Sequence, residues 1–569
     1  MRGRTCVMLL LAALVTGCET GPSEEPADLV LRGGRVVTME EGQPEAQAVA
    51  VRGHSIVAVG TDAEMEAYIG DGTRVVELAG RLVTPGFIEG HGHYMGVGQA
   101  KMNLDLMTVR NWDEIVGMVA ASTRDAANDA WIIGRGWHQE KWDRVPAEVV
   151  EGVPLHTSLD SVSPNNPVYL THASGHAAFA NKRALDLAGI DRNTPNPAGG
   201  EIVKDARGEP TGLLRETAAG LVGRARSRAE AERTDADRQA DARRAAELAA
   251  QEALSKGITT FVDAGSSFAT VDFLKQLESE NALPVRLYVM IRAPNEELEQ
   301  HLPHYLMPME ENDFLTVRSV KVSIDGALGS HGAWLLEPYV DLPSVGLATV
   351  QPESVQRTAE LAMQHGYQLN VHAIGDRANR EVLDIYERTF AANPDQRDVR
   401  WRIEHAQHLH PSDIPRFAQL GVIPAMQGVH ATSDAPWIPR RLGEQRAREG
   451  AYMWRELLNS GAVIANGTDA PVEDVSAIAS FYSSVSRRTN TGEVFYPDQR
   501  MTRDEALKSY TLSNAFAMFA EDRIGSIRPG KLADLVVLSK DIMTVPEEEI
   551  RSAEVDMTIV GGAVRYERR

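Results

Sequence analysis

Pro85-Gly86-Phe87-Ile88-Glu89-Gly90-His91-Gly92-His93 is an apolar run ending in two histidines one residue apart. The stretch from Arg81 to Ile88 reads as a short buried strand entering the core, and residues i and i+2 of a strand point to the same face. His91 and His93 therefore present two imidazoles to one point, and neutral imidazole is the commonest protein metal ligand. An HxH pair alone is a weak signal, met more often by chance or at the surface. Its meaning depends on the strands and polar residues downstream of it.

Eight candidate strands succeed one another, starting at Phe87, Thr259 (TTFVDAG), Val285 (VRLYVMI), Ser319 (SVKVSID), Gln368 (QLNVHAIGD), Trp401 (WRIEHAQ), Val422 (VIPAMQ) and Val463 (VIANGTD). Helical stretches separate several of them. Arg226 to Lys256, for example, is rich in Ala, Glu and Arg and stops at Gly257, a favourable residue just past a helix end. Successive βα units of this kind predict an α/β fold, a (β/α)8 TIM barrel over residues 86–524. The long piece 94–225 between the first two strands reads as an insertion or lid, with Met102, Met107 and Trp112 as its core. Residues 28–85 read as short strands with Gly-Gly, Arg-Gly and Ala-Gly breaks as hairpin turns. Residues 525–569 repeat that style in GSIRPGKLADLVVL and MTIVGGAV. The two ends together predict a small composite β-sandwich.

The chain has 569 residues, 43% hydrophobic and 24% charged, enough for one large domain and a smaller one. A net charge of −22 repels a polyanion, so no nucleic-acid partner is expected, and the acidity is read as solubility. At the N-terminus, basic Arg2 and Arg4 precede an apolar stretch from Val7 to Val15 that is too short to span a membrane. Leu14-Val15-Thr16-Gly17-Cys18 resembles the bacterial lipoprotein signal. That resemblance implies a signal peptide at 1–17, lipidation of Cys18 and a polar tether over 18–27. Glu19 rather than Asp comes next, so the expected location is the cell envelope, anchored in the outer membrane on its periplasmic side. An ordinary secretory signal is the alternative. Cys6 and Cys18 are the only cysteines, which leaves the folded part without a thiol for a disulfide or a metal.

The polar residues fall at the C-terminal ends of the strands, where barrel enzymes gather their chemistry. Strand one ends in His91 and His93, strand four carries Lys321, strand five His372, strand six His405 and strand eight Asp469. Here the chain resembles the amidohydrolase superfamily, and within it amidohydrolase family 3, which includes N-substituted formamide deformylases. The resemblance spans residues 28–569 and rests on PGFIEGHGH, GITTFVDAG, SVKVSIDGALGS, NVHAIGDRAN, RIEHAQ, GTDAP and GSIRPGKLADLVVL in that order. It implies two divalent metal ions, with zinc as the default from the ligand types. His91, His93 and Asp469 would hold one and His372 and His405 the other, bridged by a CO₂-derived carbamate on Lys321. It further implies attack by a hydroxide shared between the metals, with Asp469 moving the proton as the catalytic residue.

Each of these residues also has an ordinary structural reading. Lys321 fits a barrel ion pair, His372 and His405 fit satisfied core histidines, and Asp469 and Asp263 fit caps of the helices just after them. Asp325 reads as structural support. Glu89 stands where the family often has Asp, and since that is not a ligand position the site survives. Trp137 to Trp142 and the segment from His172 to His176 match pocket-lining family segments, and His176 is taken as the substrate-binding candidate. Ser330, His331, His430 and Asp434 lie on loops above the barrel. The expected function is hydrolysis of a non-peptide C–N bond in a small-molecule amide, formamide or cyclic amide. The rivals are a deaminase, against which Lys321 speaks, a lactonase or phosphotriesterase, and a non-catalytic surface binding protein. The oligomeric state stays open, a homodimer included.

Overall fold

The computed structural model describes residues 25–139, 142–144, 146, 148–150, 152–172, 177–197, 200–310, 314–329 and 331–569. Cys18 and the signal and tether up to residue 24, as well as His176 and Ser330, lie outside them. Eight parallel strands form one sheet: β1 Phe87–Gly92, β2 Ile258–Ser266, β3 Arg286–Ile291, β4 Leu315–Ser323, β5 Gln368–Ala373, β6 Arg402–His405, β7 Ile423–Gln427 and β8 Ala465–Gly467. They are hydrogen-bonded in sequence order from β1 to β8. The barrel closes at its upper rim, where Asp469 N–H donates to His91 O and His93 N–H donates to Ala470 O, each at 2.7 Å. Side-chain alternation divides each strand between two cores. Ile88, Val262, Tyr288 and Met290 cluster inside the barrel with Ala515 and Met518, while Phe87, Phe261, Leu287 and Val289 pack outward into the main core. Strand β4 begins four residues earlier than the periodicity suggested, at Leu315.

The two chain ends share one six-stranded sheet. Leu82–Pro85 pairs antiparallel with Leu535–Leu538, and Arg35–Val37 lies on the other side of Leu82–Pro85. A four-stranded sheet of Leu29–Arg32, Ala48–Arg52, Ser55–Gly60 and Arg74–Glu77 faces it across Leu31, Val49, Val83, Leu535 and Val537. Their alternate neighbours Leu82, Val536 and Leu538 pack on the barrel core. Of the three glycine breaks in residues 28–85, only Arg52-Gly53 is a hairpin turn, and Gly561-Gly562 makes another between the last two strands. Gly33-Gly34 and Ala79-Gly80 instead carry the chain from one sheet to the other, and the two corners lie together, Gly80 N–H donating to Gly33 O at 2.8 Å. A Cβ on Gly34 would lie 2.5 Å from Arg81 O, so the corner requires glycine there.

Arg286 at the base of β3 ties sandwich to barrel. Its Nε and Nη2 donate to the two carboxylate oxygens of Asp534 at 2.7 and 3.2 Å, with both side chains 2% exposed. Between β1 and β2 the chain builds a separate six-stranded sheet around Trp112, Ile115, Trp137, Leu159 and Phe179. Met102 and Met107, expected in that core, are exposed; Met102 ends the helix Tyr94–Met102, and Met107 lies at the edge of the sheet beside Gly136. The helix expected from Arg226 to Lys256 is two helices, Ala219–Ala231 and Asp235–Ser255, because Thr234 and Asp237 form a capping box that starts the second.

Candidate metal centre

His91 ends β1, and two residues on His93 caps the helix Tyr94–Met102 in extended conformation, so both imidazoles reach Asp469. His91 Nε2 lies 3.7 Å and His93 Nε2 3.2 Å from Asp469 Oδ1. The ligand atoms of His91, His405 and Asp469 all fall within 4.8 Å of one another, and all three residues are buried. His372 joins this group edge-on to His405, with ring centroids 4.5 Å apart. Lys321 Nζ sits 3.4 Å from His91 Nε2. His405 and Asp469 both carry positive φ, 75° and 60°, in the region that non-glycine residues avoid. At His405 this turn breaks the strand alternation, so that Glu404 and His405 serve one site although they are adjacent in β6.

The imidazoles are oriented from behind. Glu404 accepts from His91 Nδ1 and takes two bonds from Arg402, from Nε at 2.7 Å and Nη2 at 2.9 Å. His405 Nδ1 pairs with Gln427 Oε1 at 2.7 Å. In both rings the proton is thereby held on Nδ1, and Nε2 offers its lone pair to the centre, the arrangement that outer carboxylates and amides impose on metal-ligating histidines. Neither Glu404 nor Gln427 stands out in the sequence. The pattern Arg402-x-Glu404 on a barrel strand is the available signal, since two charges at period two can only pair inside the barrel.

Burial, then the charge of Lys321, lowers His91 to about 4 and His372 to about 3, and burial with the neighbouring His372 takes His405 well below its usual value. All three are therefore neutral and able to ligate. Burial works against the Asp469 carboxylate, but His93 and the other nearby imidazoles outweigh it and hold the group well below the ordinary range. Glu404 shows the same balance: burial raises it, yet Arg402 and His91 hold it at about 2. Burial lowers the Lys321 ammonium to about 8.

The bystanders have clear duties. Glu89 links β1 to the loop after β8, its Oε1 accepting from Thr468 N at 2.7 Å and its Oε2 from Thr468 Oγ1 at 2.9 Å. It thus fixes the backbone one residue before Asp469. Asp263 caps a helix other than its own: its Oδ1 accepts from Tyr94 N at 2.9 Å, supporting the helix that begins after His93. Asp325 gathers the N–H groups of Trp334, Ile374 and Gly375 at 2.8–3.0 Å, a structural role. Asp469 Oδ1 hydrogen-bonds no helix N-terminus among the described residues. Trp137 spends its Nε1–H on Leu170 O at 2.8 Å and belongs to the core of the insertion. His331 meets Tyr339 edge-on and pairs with Asp341, 3.1 Å away. His430 lies parallel to His405 at 6.3 Å, with Gln407, Tyr452 and Asp434 linked behind it.

Two observations test whether a divalent ion fits. His372 Nε2 is a buried polar atom without a hydrogen-bond partner among the described residues, a costly state unless something else engages it. The donor set, imidazole nitrogen with carboxylate oxygen and no thiolate, suits zinc and its first-row neighbours. Residues 74–566 match the Amidohydrolase family. The chain belongs to that family. It is 36% identical over 562 residues to Protein LONG AFTER FAR-RED 3 of Arabidopsis thaliana, covering 96% of this chain and 93% of that protein. With the N-substituted formamide deformylase of Arthrobacter pascens it shares 30% identity over 556 residues, 95% of this chain and 98% of the other. Among solved structures, an uncharacterized metal-dependent hydrolase from Pyrococcus furiosus superposes with a TM-score of 0.71 at 25% identity, covering 91% of this chain and 100% of that one. The chain is a metal-dependent hydrolase of the amidohydrolase superfamily.

Proposed function

We propose that this hydrolase cleaves a non-peptide C–N bond of a small amide, formamide or cyclic amide. The observation that carries the reading is the convergence of His91, His405 and Asp469, with the unpartnered Nε2 of His372 and the Nζ of Lys321 beside them. His91, His93 and Asp469 would hold one divalent ion and His372 and His405 a second, with zinc as the default. When bound, such ions supply Lewis acidity and lower the pKa of water near neutrality. Lys321 supports a bridging role, because an amine lowered to about 8 by burial has a sizeable neutral fraction at mildly alkaline pH. The neutral amine is the form that adds CO₂ to give a carbamate with two anionic oxygens. Asp469, held as carboxylate, accepts the proton of the attacking water at Oδ1 and returns it to the leaving nitrogen. Glu404 and Gln427 keep the His91 and His405 rings in register through both steps.

The N-terminal sequence supports a lipid anchor at Cys18 in the cell envelope. No helix of the described residues is long and apolar enough to cross a membrane. Substitution of Cys18 by Ser is expected to release the protein from the membrane fraction, and continued membrane association at the wild-type mass would refute the anchor. The function itself is tested by metal analysis and a substrate screen. Protein purified without chelator should carry close to two divalent ions per chain and hydrolyse members of a panel of formamides, N-acyl amino acids and cyclic amides. Release of ammonia from amino-heterocycles by a one-metal protein would make deamination the better reading, and turnover confined to lactones would make it an esterase.

A further inference from the structure

Arg292 comes directly after β3 and so stands on the same rim as the candidate ligands. Its N–H donates to Ser266 O at 2.8 Å, which continues the β2–β3 pairing and fixes the backbone. Its side chain then runs across Gly265. A Cβ built on that glycine would lie 3.2 Å from Arg292 Cδ and 3.6 Å from Lys321 Cγ, so the two cationic side chains pass over the same spot. Gly265 has φ +137°, a conformation open to glycine and strained for other residues, and the missing side chain is what lets both stems approach. Beyond it, Arg292 Nη2 reaches Ser323 Oγ at 3.3 Å. Ser323 is the residue of β4 that pairs with His372 of β5.

The guanidinium is therefore held over the β3–β4 side of the centre by a neutral hydroxyl. Arg292 is an exposed residue, and among the described residues it has no ion-pair partner. This contrasts with Arg286 and Arg402, which are each spent on a carboxylate. In a chain of net charge −22, long-range fields repel an anion, so an anionic substrate needs a local cation to hold it. A guanidinium fork matches a carboxylate bidentately.

We propose, resting on the C–N hydrolase reading above, that Arg292 binds a carboxylate of the substrate, and that the preferred substrates are amides bearing an anionic carboxylate, such as N-acyl amino acids, rather than neutral formamides. Arg292 acts as a specificity residue, with Gly265 as its floor and Ser323 as its brace.

The test uses the metal-loaded chain and two sulfonamides whose S–N bond is outside this chemistry, N-tosylglycine and its carboxamide, with binding read by calorimetry. Wild type should bind the acid more tightly than the amide. Arg292→Met should weaken the acid roughly 10- to 100-fold and bring the acid-to-amide ratio close to one, and Arg292→Lys should fall between. The same ratio should drop in kcat/KM for N-acetylglycine against N-acetylglycinamide, with metal content as in wild type. An unchanged ratio, equal weakening of both probes, failure of wild type to bind the acid, or loss of metal from the variants would overturn the proposal. Loss of metal would assign Arg292 to support of Lys321. If no amide of either kind is hydrolysed, the C–N reading fails, and the binding ratio still judges Arg292 separately.

Discussion

Glu404 offers the most demanding test of how the centre is built. Its carboxylate is fully buried and serves two partners, the guanidinium of Arg402 and the Nδ1 of His91. Replacing it by Leu strips Arg402 of two charge-assisted bonds and leaves Gly90 O, at 2.7 Å, as its one acceptor among the described residues. An uncompensated buried charge of this kind costs about 3–5 kcal/mol of stability. Losing the group that orients a ligating imidazole weakens metal binding about 10- to 100-fold, equivalent to about 1.4–2.7 kcal/mol. The two effects separate in the double variant Arg402→Met, Glu404→Leu, which removes both charges. Its stability should recover most of the loss, because a buried pair exchanged for apolar side chains is often neutral. Its metal affinity should stay low, because the His91 ring is still unanchored. Denaturant melts of the metal-free proteins report the first quantity, and zinc competition against a chromophoric chelator reports the second. A double variant that regains wild-type zinc affinity would show that Glu404 is only a counter-ion for Arg402, and the orientation argument would be wrong.

Lys321→Ala should lose activity together with bound metal and recover part of both with millimolar acetate or propionate, which can occupy the space of the missing carbamate. Full metal occupancy with no acid rescue would make Lys321 an ion-pair residue. Asp534→Ala should cost roughly 1–3 kcal/mol by removing the two charge-assisted bonds that Asp534 takes from the buried Arg286, while metal content per folded chain stays constant; the centre lies at the opposite end of the barrel from this pair. Stability unchanged in melts of that variant would contradict the pairing. Removing metal with a chelator should lower the melting temperature reversibly, by the equivalent of about 4 kcal/mol when free zinc had stood roughly a thousandfold above Kd. A melting temperature independent of zinc would argue against any resident ion at these residues.

The barrel is legible in the sequence because each strand carries its own apolar run and the chemistry falls at strand ends, where period and position agree. The features that escape such a reading are set by contacts between distant segments. Glu404 looks like an ordinary strand residue until Arg402 and His91 close around it, and Gln427 lies at the end of an apolar run that gives no hint of His405. Asp263 reads as the cap of its own following helix, but the cap it makes is on Tyr94, in a different part of the chain. The glycine-containing pairs at 33–34 and 79–80 have the composition of a hairpin, and only the stacking of two sheets turns them into corners. In the insertion, Trp112 is core while Met102 and Met107 are exposed. Hydrophobicity ranks the three alike, and the sheet that separates them is built mostly from strands later in the chain than all three.

The pairing of Leu82–Pro85 with Leu535–Leu538 also bears on how the chain is made. The earlier strand leads straight into β1, yet its antiparallel partner is made only after every strand of the barrel. Until that partner arrives, Leu82–Pro85 remains an unpaired β-edge with apolar side chains on both faces, a template for pairing with another chain. Pairing across such a separation is slow because the intervening loop must close first. Synthesis of this protein thus holds a sticky edge open for the whole time the barrel is emerging. Damage to the last strands would show first as poor solubility in cells, before any change in the chemistry of the purified enzyme.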